Sequence, residues 1–342
     1  MVAASSSLVS GVVSYASGAE VSVAFSPSGR AIYSAGVDKA VRAFDLAQTE
    51  ASAASGHTQP LRCVAFSPDG KHIVTGSEDK NVKVWDAATG KEIATLGAAT
   101  DYVNAVAFAD NATIVASGDD GRIRWWSFNP VKVLAETPTG GKVFNLSTAG
   151  GKVAVVWTRR NEKFAGFEVY ALQNGMPGVT TQVNERGREI SCAVLAADGT
   201  LAVSGGEDGI VRVWDLEKKE RIGSDWPLFA KGVADLALTP DKKTLVAIDV
   251  DGTVKIADVA KRDAGTSINA VPNGVAGIVV APTSDRFATL SAEGDVKVWN
   301  FQGKELRAWK LPVAAAAAAF APDGKKLVVG NRDGTAYVLD LP

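Results

Sequence analysis

The sequence predicts an all-β chain of repeated four-stranded units, on three observations. One motif returns at a near-constant interval, each copy alternates apolar and polar residues, and turn tetrads separate the alternating runs. The clearest copy is Asp79-Lys80-Asn81-Val82-Lys83-Val84-Trp85-Asp86. Its anchor position holds Phe44, Trp85, Trp126, Tyr170, Trp214, Ala257, Trp299 and Leu339, at intervals of 40 to 44 residues. An acid stands six residues before each anchor, at Asp38, Asp79, Asp120, Asp208, Asp251, Glu293 and Asp333, with Phe164 the exception in the fourth unit. Self-similarity at this period marks repeat architectures in which no unit buries its own apolar faces.

Each unit reads as strands in a fixed order. The first run is Cys63-Val64-Ala65-Phe66 in the second unit, and the next is Ile73-Val74-Thr75. The third carries the anchor, and Val82-Lys83-Val84 shows the period-2 alternation of a pleated strand, as do Val211-Arg212-Val213 and Val296-Lys297-Val298. A fourth run follows, such as Lys91-Glu92-Ile93-Ala94-Thr95-Leu96. Ser67-Pro68-Asp69-Gly70 and Ala321-Pro322-Asp323-Gly324 separate the first two strands of their units, because proline presets φ and glycine accepts φ > 0. The fourth unit, Phe144 to Leu172, lacks the turn acid and carries Tyr170 as its anchor, but it fills a whole interval and keeps the alternation, so the count is eight.

Four-stranded units of this length with Trp-Asp endings are the pattern of β-propeller blades. The chain resembles the WD40-repeat family over nearly its whole length. Trp85-Asp86, Trp214-Asp215, Phe44-Asp45 and Trp299-Asn300 stand where that family has its Trp-Asp pair. The repeat style, with Ser-Pro-Asp-Gly-Lys turns, resembles that of bacterial members. The expected fold is a single domain over residues 1–342, a closed eight-bladed β-propeller with four antiparallel strands per blade. The last unit supplies three strands before the chain ends, so residues 8–16, with Leu8–Tyr15 as the strand, are expected to complete the eighth blade. The edge would otherwise lie open.

The bulk properties narrow the function. With 46% hydrophobic and 22% charged residues, the composition is that of a globular domain. A net charge of −2 gives no electrostatic case for a nucleic-acid partner. No apolar run of membrane-spanning length occurs, so no membrane association is expected. The N-terminus shows neither a basic n-region nor an apolar h-region, which favours the cytoplasm. Cys63 and Cys192 cannot make a disulfide framework, and they occupy the same slot of two units that are distant around the ring. His57 and His72 are the only histidines, no metal-ligand spacing occurs, and no cofactor is expected. His72 reads as a solvated surface residue.

Two sets of residues stand out. The resemblance implies a hydrogen-bonded structural tetrad of His57, Thr75, Asp79 and Trp85, and only the second unit holds all four members. The turn acids are expected to take backbone N–H groups. Arg42, Lys83, Arg124, Arg212, Lys255 and Lys297 read as a solvated, stem-packed stripe. The irregular fourth unit supplies Arg159, Arg160 and Lys163. By the family's strand order these share a face with Arg186 and Arg188, beside Trp157 and Phe164, as a candidate partner-binding site.

No catalytic motif is present: there is no phosphate-binding glycine loop, nucleophile elbow or haem-attachment sequence. The resemblance implies a non-catalytic scaffold, expected to be monomeric, that binds a protein or peptide on the propeller face. The alternatives are a propeller that binds or transforms a small molecule in its channel, and a domain of a larger multidomain bacterial protein. The apolar runs Val64-Ala65-Phe66, Val106-Ala107-Phe108 and Ala315 to Ala319 argue against a reactive channel.

Overall fold

A strand whose every residue is buried, such as Val103–Phe108, is stable only when both of its faces are covered. The computed structural model describes residues 22–35, 40–45, 51–97, 99–139, 142–149, 152–159, 164–173, 176–186, 190–271, 274–311, 314–321, 323–331 and 336–341. Their strands form eight antiparallel sheets, each a meander in chain order. Seven sheets hold four strands, and the last holds three: Ala315–Phe320, Lys326–Asn331 and Ala336–Asp340. The strand expected at Leu8–Tyr15 lies outside the described residues.

Every anchor lies on the third strand of its sheet. Phe44 is on Ala40–Asp45, Trp85 on Val82–Asp86, Trp126 on Arg122–Phe128 and Tyr170 on Phe164–Gln173. Trp214 is on Ile210–Asp215, Ala257 on Thr253–Asp258, Trp299 on Asp295–Asn300 and Leu339 on Ala336–Asp340.

The pleat then sends alternate side chains into two different cores. In sheet 2, Val64, Phe66, Ile73 and Trp85 pack against Ala24 and Val41 of sheet 1. Cys63, Ala65, Val74 and Val84 face the other way, onto Val106, Phe108, Ile114 and Trp126 of sheet 3. The same device joins sheets 3 to 4, 4 to 5, 5 to 6, 6 to 7 and 7 to 8. An eighth cluster joins the last sheet to the first, packing Val23, Phe25 and Ile32 on Ala317, Ala319 and Val328. At about 1.5–3 kcal/mol for each large apolar side chain buried, these seams carry most of the stabilisation.

Turns and bulges set the edges. In Ser67–Gly70 the Gly70 N–H returns to the Ser67 carbonyl at 2.9 Å, and Gly70 has φ +70°, a conformation that costs glycine little. Four outermost strands carry an extra residue one pair from the anchor, marked by register shifts at Trp85, Trp126, Tyr170 and Trp299. A bulge there bends the free edge, so the rim offers no long flat template for another strand.

Candidate functional site

The structure brings His57, Thr75, Asp79 and Trp85 together. His57 precedes the first strand of sheet 2, Leu61–Phe66; Thr75 lies on the second, His72–Ser77; Asp79 is in the following turn; Trp85 is on the third. The Trp85 indole N–H donates to Thr75 Oγ1 at 2.9 Å. His57 Nε2 is 2.8 Å from the same oxygen, and His57 Nδ1 is 2.9 Å from Asp79 Oδ2. Burial is the main cause that lowers the His57 pKa from its ordinary value, outweighing the pull of Asp79. The imidazole is therefore neutral: its Nδ1–H donates to Asp79, and its Nε2 accepts the Thr75 hydroxyl. Burial pushes the Asp79 pKa upward, but the N–H of Thr58, the imidazole and the N–H of Asn81 together bring it below its ordinary value. Each hydrogen is spent on a neighbour within the chain, so the arrangement holds the seam between sheets 1 and 2 and presents no nucleophile.

The third-strand cations are not a solvated stripe. Lys83, Arg124 and Arg212 are 9%, 4% and 1% exposed. A cation removed from water needs a partner, and each has at least one carboxylate. Lys83 Nζ meets Glu92 at 2.7 Å and donates to Thr95 at 2.8 Å. Arg124 meets Asp120 at 2.6 Å and Glu136 at 3.4 Å, and Arg212 meets Asp208 at 2.8 Å and Asp225 at 3.3 Å. Lys255 and Lys297 are half-buried, and the side chain of Arg42 lies outside the described residues. In sheets 3 and 5, then, the turn acid pairs with an arginine four residues on, where sheet 2 uses a histidine. Sheet 4 inverts the charge: Glu168 takes the register of Lys83, and the buried Tyr170 hydroxyl donates to it at 2.6 Å.

Other expectations also change. In sheets 6 and 7 the turn N–H groups go to Asp249 and Ser291, two residues earlier than the acids Asp251 and Glu293. Asp38 and Asp333 lie outside the described residues. His72 is half-buried, not solvated, with its ring edge-on to Phe128 at 4.9 Å. Cys63 and Cys192 are both buried thiols.

The first strands also carry polar residues that their apolar reading missed. Arg62 Nη1 donates to Asn104 of the next sheet at 2.8 Å, and Asn104 donates to Asp119 at 2.8 Å. Ser191 donates to the Val233 carbonyl at 2.6 Å, and Asp235 accepts the Ile278 N–H at 3.0 Å. The bonds Arg62–Asn104, Ser191–Val233 and Asp235–Ile278 each link one sheet to the next. Among the described residues no group of His, Cys, Asp and Glu is arranged to hold a metal, and no helix is long and apolar enough to cross a membrane.

At sheet 4, Arg159 ends the second strand, Lys152–Arg159, and pairs with Phe164. Phe164 pairs in turn with Arg186, the last residue of Met176–Arg186. The backbones of these three residues form one row at the end of the sheet. Arg160, Lys163 and Arg188 lie outside the described residues.

The family model described as WD domain, G-beta repeat matches residues 12–45, 50–86, 90–127 and 180–215. WD40 repeats are thus matched at four positions of the chain. Across 172 residues it is 24% identical to WD repeat-containing protein 1 of Bos taurus, a stretch that is 48% of this chain and 28% of that relative. Across 157 residues it is 24% identical to Protein groucho of Drosophila melanogaster, 45% of this chain and 22% of that relative. The match thus spans about a quarter of these relatives. The crystal structure of the computationally designed Ika8 protein superposes with a TM-score of 0.79 at 20% identity, covering 98% of both chains, a likeness of fold. The buried cations Lys83, Arg124 and Arg212 each stand two residues before the anchor of their unit, Trp85, Trp126 and Trp214.

Proposed function

We propose that this chain is a closed eight-bladed β-propeller that serves, without catalysis, as a platform for a partner protein or peptide. The partner docks an acidic group on the cationic end of sheet 4. The WD40 repeats support an interaction role in general terms, and the apolar cluster between the first and last sheets supports closure of the ring. Residues 8–16 act as the fourth strand of the last sheet in this reading. Removing residues 1–16 is expected to lower the melting temperature of the whole ring in one transition; an unchanged melting temperature would dismiss the clasp.

The observation that carries the docking site is the row Arg159, Phe164, Arg186. Between the paired Arg159 and Phe164 the chain adds Arg160 and Lys163. Guanidinium groups recognise carboxylate and phosphate through two parallel hydrogen bonds, and an adjacent aromatic ring excludes water from the contact. A pull-down with the intact ring beside an Arg159→Glu/Arg160→Glu variant tests it. Loss of the captured partner at unchanged melting temperature is expected, and equal capture by both proteins removes the site.

A further inference from the structure

A groove of about 480 Å³ opens between sheets 6 and 7. It lies at the end of the sheets opposite to the row of Arg159 and Arg186, and it is independent of that row. Its floor is Ile256, and Phe301 forms one flank, packed on Phe287 with ring centroids 5.8 Å apart. Asp258, Asp263, Thr244 and Thr266 are the polar residues of its lining. The volume lies within the range of natural ligand pockets.

The groove is built without a ligand. Asp258 Oδ1 accepts the N–H groups of Ala260 and Lys261 at 2.9 and 3.0 Å, and Asp263 Oδ1 accepts that of Gly265 at 3.1 Å. Each acid thus commits one oxygen to shaping the connection 259–265. On its far side that connection is pinned to sheet 5. The Trp226 indole N–H donates to the Asp263 carbonyl at 2.9 Å, and Arg262 donates to the carbonyls of Ser224 and Ile222. The loop's own guanidinium is therefore spent on sheet 5. The second oxygen of Asp258 meets only an exposed ammonium at 3.4 Å, that of Lys261, which a ligand displaces at little cost.

We infer that this groove binds an arginine side chain of a partner peptide. Two carboxylates beside an aromatic face call for a cation that is both planar and charged. Guanidinium meets both demands, lying flat on Phe301 while its edge faces the acids. The backbone N–H groups that hold Asp258 also keep its carboxyl below the usual range, so the site is anionic at neutral pH.

The test is an amide NMR titration at low salt with the peptide acetyl-Gly-Arg-Gly-amide. Its neutral isostere, with citrulline in place of arginine, is titrated in parallel. Shifts centred on residues 258–266 and Phe301 with the arginine peptide, and none with the citrulline peptide, are expected. Asp263→Asn and Phe301→Leu should each weaken binding about three- to fivefold; Asp263→Asn retains the wild-type melting temperature, and Phe301→Leu lowers it through the lost contact with Phe287. Absence of shifts at these residues, or equal binding of the citrulline peptide, overturns the inference. That comparison uses the unaltered protein, so it decides even if a variant fails to fold.

Discussion

Arg212 reaches back four residues to Asp208, with Nη2 at 2.8 Å from Oδ2. It does so almost fully buried, on the face that its strand turns toward sheet 4. Asp225 on the outer strand supplies a second carboxylate at 3.3 Å. The guanidinium is thus paired at both ends, and removing either charge leaves the other uncompensated. Arg212→Ala is expected to cost roughly 3 kcal/mol or more in chemical denaturation. Arg212→Met should cost less, because it keeps the stem packing and leaves two acids that are partly in reach of water. A cost for Arg212→Ala within about 0.5 kcal/mol, the ordinary surface value, would show that the pair is idle.

The repeat was legible because the anchor is a physical necessity. Trp85, Trp126 and Trp214 fill the same seam position, and their period survives the loss of every other motif residue. The buried cations were not legible. Alternation marks Arg212 as polar and hence outward, yet in a strand covered on both faces there is no outward side. The clue lay in its partners: an acid four residues before it and another on the following strand, as in Asp208 and Asp225 around Arg212, or Asp120 and Glu136 around Arg124. Asp235 escaped for a related reason. It stands in the slot that Cys63 and Cys192 fill, beside a first-strand bulge whose position the apolar pattern does not reveal.

His57 makes the tetrad sensitive to acid. Its pKa is lowered in the folded protein, chiefly by burial, so below its ordinary value of 6.5 the unfolded chain takes up the proton first. The stability it contributes is complete above that pH and is lost as pH falls toward the folded value. Structurally, a second imidazole proton would face the Thr75 hydroxyl and turn it away from His57. Melting temperatures from pH 8 to 5 should fall for the wild type, with a shallower slope for His57→Asn. Parallel slopes would remove His57 as the cause.

Asp235 acts in the opposite sense. Burial pushes its pKa up to about 6, against the pull of the Ile278 and Leu236 N–H groups. Between the ordinary carboxylate range and pH 6 the folded chain therefore holds the proton more tightly than the unfolded one. The stability this gives is complete at low pH and is lost as pH rises through that window, by at most about 3 kcal/mol. Asp235→Asn cannot titrate. Its stability relative to wild type should rise from pH 4 to 6 and stay level above it, measured by urea denaturation at each pH. The slope is the readout, because the amide also turns an NH2 group toward one of the two backbone donors and so shifts the level at every pH. A constant difference across the window would refute the assignment.

Gly252 sits where the turn of sheet 6 meets the chain leaving its outer strand. The Val271 N–H donates to its carbonyl at 3.2 Å, and the residue has φ +86°. A Cβ there would lie 1.7 Å from the Val271 carbonyl oxygen, a backbone atom that cannot swing aside. Gly252→Ala thus meets two costs, about 1 kcal/mol or more for the left-handed backbone and a further one for separating the two segments. A total above about 2 kcal/mol is expected, with faster amide exchange at Val271. Gly97 is the internal control, because nothing lies within 4 Å of its added Cβ. Gly97→Ala should be neutral or gain up to about 1 kcal/mol through the unfolded chain. Equal effects of the two substitutions would mean that the close approach at Gly252 plays no part in holding the turn to the outer strand.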